Sequence, residues 1–206
     1  MRAFYLGAMI VVFDMEWTSW PGSQARDWSG PGEHPEIIQI GAVRLDADLR
    51  ETASLDRLVK PKVNPLLSDF IIGLTGITQD RVDRDGIDVA EALSEFATFA
   101  SGARAVLTNG RDHEIIARNV ALHGIANPMA GATFASVSAH FRHAAGRSTH
   151  VVSSTLPEVF GFELSGRAHD GLADARAIAE ALRRTTSRGC ISALVAALTN
   201  TDEVRA

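Results

Sequence analysis

A single cysteine, Cys190, stands in 206 residues, so no internal disulfide can form and the thiol reads as inert. That scarcity fits a reducing compartment, and a cytoplasmic location is the expectation. No apolar run approaches the roughly 20 residues of a membrane helix, so no membrane partner is expected. The opening Met1-Arg2-Ala3-Phe4-Tyr5 lacks an apolar stretch followed by a small-residue cleavage site, and no secretory leader is expected. Repeats, low-complexity tracts and long linkers are also missing. One domain over residues 1–206 is therefore expected, with its core over about 8–186 and a C-terminal helix over about 190–199. Positive charge is short as well: the formal net charge is −5. That balance argues against long electrostatic tracking along a nucleic-acid duplex. It leaves room for gripping a few nucleotides where metal ions supply the missing positive charge.

What is present is an ordinary soluble composition, 46% hydrophobic and 22% charged, in a chain long enough to bury a substantial core. The stretch that organises it is Ile10-Val11-Val12-Phe13-Asp14-Met15-Glu16-Trp17-Thr18. A short apolar, β-branched run reads as a buried central strand. Its end carries two acids. In an extended chain residues i and i+2 face the same way, so Asp14 and Glu16 project side by side, roughly 7 Å apart along the strand. Two carboxylates on one partly buried face repel and lose hydration, which calls for positive charge between them. Divalent cations held by hard oxygen ligands meet that need. The alternative is that the strand ends at the surface and both acids are solvated, so the rest of the chain decides.

Ser19 to Glu33 is a loop by its Pro21-Gly22, Ser29-Gly30 and Pro31-Gly32 pairs. Trp17, Trp20 and Trp28 gather around it, either to stack on a base or to pack the loop. Glu36 to Leu45 reads as a second strand, Asp46-Ala47-Asp48 as a turn, and Arg50 to Lys60 as a third strand of an antiparallel meander. Leu66 to Leu74 has helical spacing, with Ser68 and Asp69 early in it. Thr78 to Gly86 is polar. A helix is expected over Asp88 to Ala100, with Val89, Leu93, Phe96 and Ala97 on one face. Ala103 to Thr108 reads as a parallel strand, and Asn109-Gly110 leads into a helix from about Asp112 to His123. Thr133 to Ala145 reads as a short strand or turn and then a helix. Leu156 to Phe160, Leu172 to Arg184 and Ile191 to Leu198 are further helices. Three strands followed by alternating helix and strand give an α/β fold, a mixed sheet covered by helices.

Two more acid positions matter. Asp112 sits where a strand gives way to a helix, and capping alone would account for it. The other is His169-Asp170-Gly171-Leu172-Ala173-Asp174. Asp170 can cap the helix, whereas Asp174 falls one turn inside, on a packed face, where a lone acid is costly unless paired or bound to a metal. His169 precedes the helix, within reach of water in such a site. His113, His123, His140, His143 and His150 carry no such spacing and read as inert.

Asp-x-Glu on the first strand, Asp after a later strand and His-x4-Asp opening a late helix together resemble the DEDDh 3′–5′ exonucleases of the DnaQ-like superfamily. Within it the chain looks most like the Eri1/KapD-like group. The likeness lies in Phe13 to Thr18, in Pro35-Glu36-Ile37-Ile38-Gln39-Ile40-Gly41, in Leu67 to Phe70, in Leu74-Thr75-Gly76-Ile77-Thr78-Gln79 and in Val82-Asp83. It runs from about Ile10 to Leu182. The chain departs from that group at Arg111, where an aromatic is common, at Ala173, where an acid is frequent, and at Ala177, where Asn is frequent. Those positions leave substrate preference open.

The resemblance implies an RNase H-like mixed five-stranded sheet, a three-strand antiparallel meander plus parallel strands, flanked by helices. It implies hydrolysis of single-stranded RNA or DNA from the 3′ end with two Mg²⁺ or Mn²⁺ ions. Asp14 would bridge both ions, Glu16 and Asp174 would complete one shell, and Asp112 would support the second. Metals about 4 Å apart can serve the attacking water and the leaving oxygen, with His169 as general base. Met15, Thr18, Leu74, Thr75, Asn109 and His169 would line the terminal nucleotide, Leu74 packing a base or sugar face unless it is an ordinary core leucine. Two other classes stay open: a regulatory, protein-binding module that keeps the fold, and an oligoribonuclease-like enzyme for very short oligonucleotides. The oligomeric state is not legible.

Overall fold

Side chains along an extended strand alternate between its two faces, and Ile10–Trp17 (β1) uses both to bury apolar surface. Ile10 and Val12 enter one core with Val43, Leu107, Phe141, Ile178 and Leu182. Val11, Phe13 and Met15 enter the other with Ala42, Leu93, Phe96, Val106 and Ile116. Continuing the first alternation places Asp14 and Glu16 beyond Val12 on the same face. This computed structural model describes residues 9–187 and 190–199. The opening residues Met1 to Tyr5 lie outside them.

β1 is central in a five-stranded sheet. Ile37–Leu45 (β2) and Glu51–Leu58 (β3) complete an antiparallel meander, and Ala105–Thr108 (β4) and Phe134–Ser136 (β5) add parallel strands, in the order β3-β2-β1-β4-β5. This is the mixed sheet expected. Asp69–Thr75 (α1) and Gln79–Asp85 (α2) pack as a small third cluster beyond β2 and β3. Val89–Ala100 (α3) and Asp112–His123 (α4) cover one face. Ser138–Ala144 (α5), Leu156–Phe160 (α6), Gly171–Thr185 (α7) and Ile191–Thr199 (α8) cover the other.

Three expectations shift. Helix α1 begins at Asp69 rather than Leu66, because the Ser68 hydroxyl accepts from the Ile71 N–H and fixes the start, leaving Leu66 77% exposed. The stretch read only as polar, Thr78 to Gly86, contains α2, started by a Thr78 cap on the Arg81 N–H and anchored by Val82. The third strand is shorter than Arg50 to Lys60, ending at Leu58 before a bridge from Val59 to Ile87. In the loop after β1, Trp17 and Trp28 meet edge to face at 5.9 Å, and Trp28 Nε1 donates to the Thr18 carbonyl at 3.1 Å. Those two tryptophans hold the loop together. Among the described residues no helix is long and apolar enough to cross a membrane.

Candidate active site

The acid-bearing end of β1 lies under the start of α7, and two residues of β2 explain how close that approach is. Gly41 pairs with Asp14 across the sheet. A Cβ at Gly41 would stand 2.0 Å from the Gly171 carbonyl carbon, so only hydrogen fits. Next along the same face, Gln39 pairs with Glu16 and is fully buried. Its Oε1 accepts the Gly171 N–H at 2.9 Å, and its Nε2 donates to Asp56 Oδ1 at 2.9 Å and Asp170 Oδ2 at 3.3 Å. Asp170 in turn caps α7 by accepting the Ala173 N–H at 3.0 Å. The helix is thereby fixed against the strand that carries Asp14 and Glu16.

One turn into α7, Asp174 is 2% exposed. Its Oδ2 accepts the His169 N–H at 3.0 Å, while its Oδ1 is buried without a hydrogen-bond partner. His169 takes a left-handed backbone conformation, φ 59°, uncommon outside glycine. That turn brings a ring nitrogen and single oxygens of Glu16 and Asp174 within 4.8 Å of one another.

Asp112 arrives from the other side of β1. The capping role that would account for it does not hold: no side-chain cap bonds the start of α4. Pairing between β1 and β4 stops at Val12 and Leu107, which leaves the Met15 N–H without a strand partner. Asp112 Oδ1 takes that N–H at 3.0 Å, and Oδ2 accepts from the Thr108 hydroxyl at 2.6 Å. The carboxylate therefore reaches across to β1.

Electrostatics record the crowding. Asp14, which keeps part of its surface open, is held well above the usual carboxylate range by burial first and then by Asp112, Glu16 and Asp174. Burial raises Glu16 strongly, with Asp174, Asp112 and Asp170 adding to it. Burial also raises Asp112, against the bonds from Thr108 and Met15. Asp174 is pushed up to about 6, chiefly by burial. His169 moves the other way, lowered by burial and by Arg167. No arginine or lysine offsets any of the four acids among the described residues. Four hard oxygen donors from β1, α4 and α7, one with an orphaned buried oxygen, suit divalent cations better than they suit each other.

The remaining positions divide. The Met15 side chain is buried in the opposite core, and only its main chain faces Asp112. Thr18 is buried at the end of β1, donating to the His34 carbonyl and accepting the Glu36 N–H at 2.9 Å. Thr75 is buried near the end of α1, bonded to the Ile71 carbonyl and the Ile77 N–H, and Leu74 is half-buried against the same cluster. Asn109 Nδ2 holds the Val151 carbonyl at 2.7 Å and Ser153 at 3.3 Å, with Oδ1 buried and unpartnered.

Sequence reasoning did not single out four residues around this site. Ser153 donates to Asp14 Oδ1 at 3.2 Å, and nothing in its surroundings in the chain marks it. Gln39 interrupts Ile37-Ile38-Gln39-Ile40, a polar break in a buried strand that was a usable signal. Glu36, also fully buried, accepts the Lys62 and Val63 N–H groups at 2.7 and 2.9 Å as well as that of Asn64, and so fixes the segment leading to α1. Arg167 donates to the Gly73 and Leu74 carbonyls at 2.8 and 3.2 Å, tying the loop before His169 to α1.

Comparison with known proteins converges on this arrangement. Residues 11–182 match the Exonuclease family. A mouse 3′-5′ exoribonuclease 1 is 30% identical over 169 residues, covering 75% of this chain and 48% of its own. A mouse ERI1 exoribonuclease 2 is 28% identical over 225 residues, 96% of this chain and 31% of that protein. The chain thus spans between about a third and a half of these relatives' length. Among solved structures, the nuclease domain of 3′hExo, a DEDDh family member bound to rAMP, superposes with a TM-score of 0.76 at 26% identity, covering 91% of this chain and 96% of that one. Exonuclease I, 18% identical with a TM-score of 0.69 over 92% of this chain and 43% of its own, shares the fold. The chain belongs to the Exonuclease family, as a DEDDh-type member of the DnaQ-like superfamily in the Eri1-like group.

Proposed function

We propose that this chain removes nucleotides one at a time from the 3′ end of single-stranded nucleic acid, with two Mg²⁺ or Mn²⁺ ions and His169 as general base. The observation that carries the reading is the uncompensated crowding of Asp14, Glu16, Asp112 and Asp174, each raised and none paired with a cation among the described residues. Asp14, Glu16 and Asp174 would hold one ion and Asp14 with Asp112 the other. Such ions supply Lewis-acid stabilisation of charge on the phosphate oxygens and make water acidic enough to attack.

The chain's own groups do the rest. Asp112 is oriented by Met15 and Thr108, and Asp14 by Ser153, so neither has to be ordered when substrate binds. The lowered affinity of His169 for protons keeps its ring neutral near pH 7, free to take the proton of the attacking water. Relatives named exoribonucleases and a neighbour bound to rAMP favour RNA over DNA as the preferred strand. Leu74, Thr75, Thr18, Met15 and Asn109 would border the terminal nucleotide, the last three by main chain or through neighbours.

The test is a shortening assay on matched 5′-labelled RNA and DNA oligonucleotides of two to twenty residues, with Mg²⁺, Mn²⁺ or chelator. A ladder of products losing 3′ nucleotides, abolished by chelator, is expected. Absence of shortening in every metal, with tight binding to another protein, would support the regulatory-module reading instead.

A further inference from the structure

We infer that Glu16, His169 and Asp174 form an inhibitory site for one borderline divalent ion, with zinc as the type, in which His169 is a ligand rather than a base. The inference rests on the nuclease reading above for its consequence, although not for the binding itself. Two carboxylates and one imidazole converge here, their donor atoms within 4.8 Å of one another. Asp174 Oδ1 is buried and has no hydrogen-bond partner, so one oxygen stands ready for an ion. Its other oxygen holds the His169 main-chain N–H at 3.0 Å, which fixes the histidine beside the carboxylate it would share. The left-handed turn at His169 and the Arg167 bonds to the end of α1 keep the loop in that place.

Donor chemistry sets the preference. Mg²⁺ takes oxygen ligands in a near-octahedral shell and retains water. A set of two carboxylates and one imidazole, with a fourth position open, is one that zinc accepts readily. Bonds of about 2.0–2.2 Å would draw the three donors together by roughly an ångström, a movement that the half-buried ring can make more easily than the carboxylates. Once its nitrogen is coordinated, that lone pair is no longer available to a proton. One ion would thus occupy a position that catalysis needs and disable the general base together.

Zinc and manganese affinities of the full chain, measured by competition with a chromophoric chelator, test this directly. His169→Ala should weaken zinc binding about tenfold or more, a modest share of what a complete ligand set contributes. Manganese binding should change by less than about twofold. Glu16→Gln should weaken both ions. Micromolar zinc should arrest magnesium-supported shortening by the wild-type chain, with full recovery on chelation. If His169→Ala melts early, His169→Asn takes its place, with the same expectation. Zinc affinity unchanged in the histidine variant, or zinc and manganese falling together, would overturn the proposal even where shortening is normal. Lack of shortening by the wild type with either hard ion would overturn the nuclease reading, while the histidine-dependent zinc affinity would still be decided by binding alone.

Discussion

At the residue scale the governing fact is that Asp14 faces three other carboxyl groups with no cation beside it among the described residues. An acid whose folded-state affinity for protons is raised costs stability once ionised. The cost is absent below pH ~4, where the unfolded chain is also protonated, grows as pH rises through the folded-state value, and is complete above it. Asp14→Asn should therefore abolish shortening while raising the metal-free melting temperature at pH 8 by about 2–4 °C per kcal/mol of repulsion relieved. That gain should shrink toward zero at pH 4; a variant that melts lower than wild type at pH 8 would show that the carboxylates do not repel as argued. Asp174, at about 6, sets a second expectation. Manganese binding should weaken as pH falls through about 6, since ligand protonation competes with the ion, and calorimetric titrations at pH 5 and 7.5 would show it. His169→Ala should keep manganese binding yet lose about 10²–10⁴-fold in turnover; unchanged turnover would remove it from proton transfer.

At the scale of elements, the site depends on how closely α7 lies on β2. Gly41→Ala forces a Cβ into the Gly171 main chain, so the helix start must shift. Overpacking of this kind costs about 1–3 kcal/mol, and here it should also lower turnover, because Asp174 and His169 move with the helix. Urea melts paired with the shortening assay would check both, and wild-type turnover in Gly41→Ala would count against the close packing. The elements that place the acids were legible because their patterns are strong. The β-branched run of β1, the Asn109-Gly110 turn before α4 and the His169 to Asp174 spacing each announced themselves locally. What the sequence hid was of two kinds. Helix α2 buries only Val82 among its seven residues, so periodicity had little to register and the Thr78 cap carried the signal. Ser153 and Gln39 act on partners 139 and 132 positions away, a pairing that no local pattern encodes. Asp112 was visible as a helix-start acid, but the strand N–H that it satisfies was not.

At the scale of the molecule, two cores on the faces of one sheet hold three distant pieces of chain so that their acids meet at one end. The fold thereby stores repulsion that a ligand can release, and a net charge of −5 adds a field favourable to cations throughout. Metal should consequently stabilise the whole protein: a ligand at 100 times its dissociation constant adds about 2.7 kcal/mol. Thermal melts with and without Mn²⁺ should separate more at pH 8 than at pH 5, because the acids compete with protons at the lower pH.

The central claim is that these four carboxylates stay together because divalent ions neutralise them. Anomalous diffraction from a manganese-soaked crystal tests it most directly. The account predicts two peaks among Asp14, Glu16, Asp112 and Asp174, with Asp14 shared between them. Carboxylates splayed apart with no ion between them would contradict it.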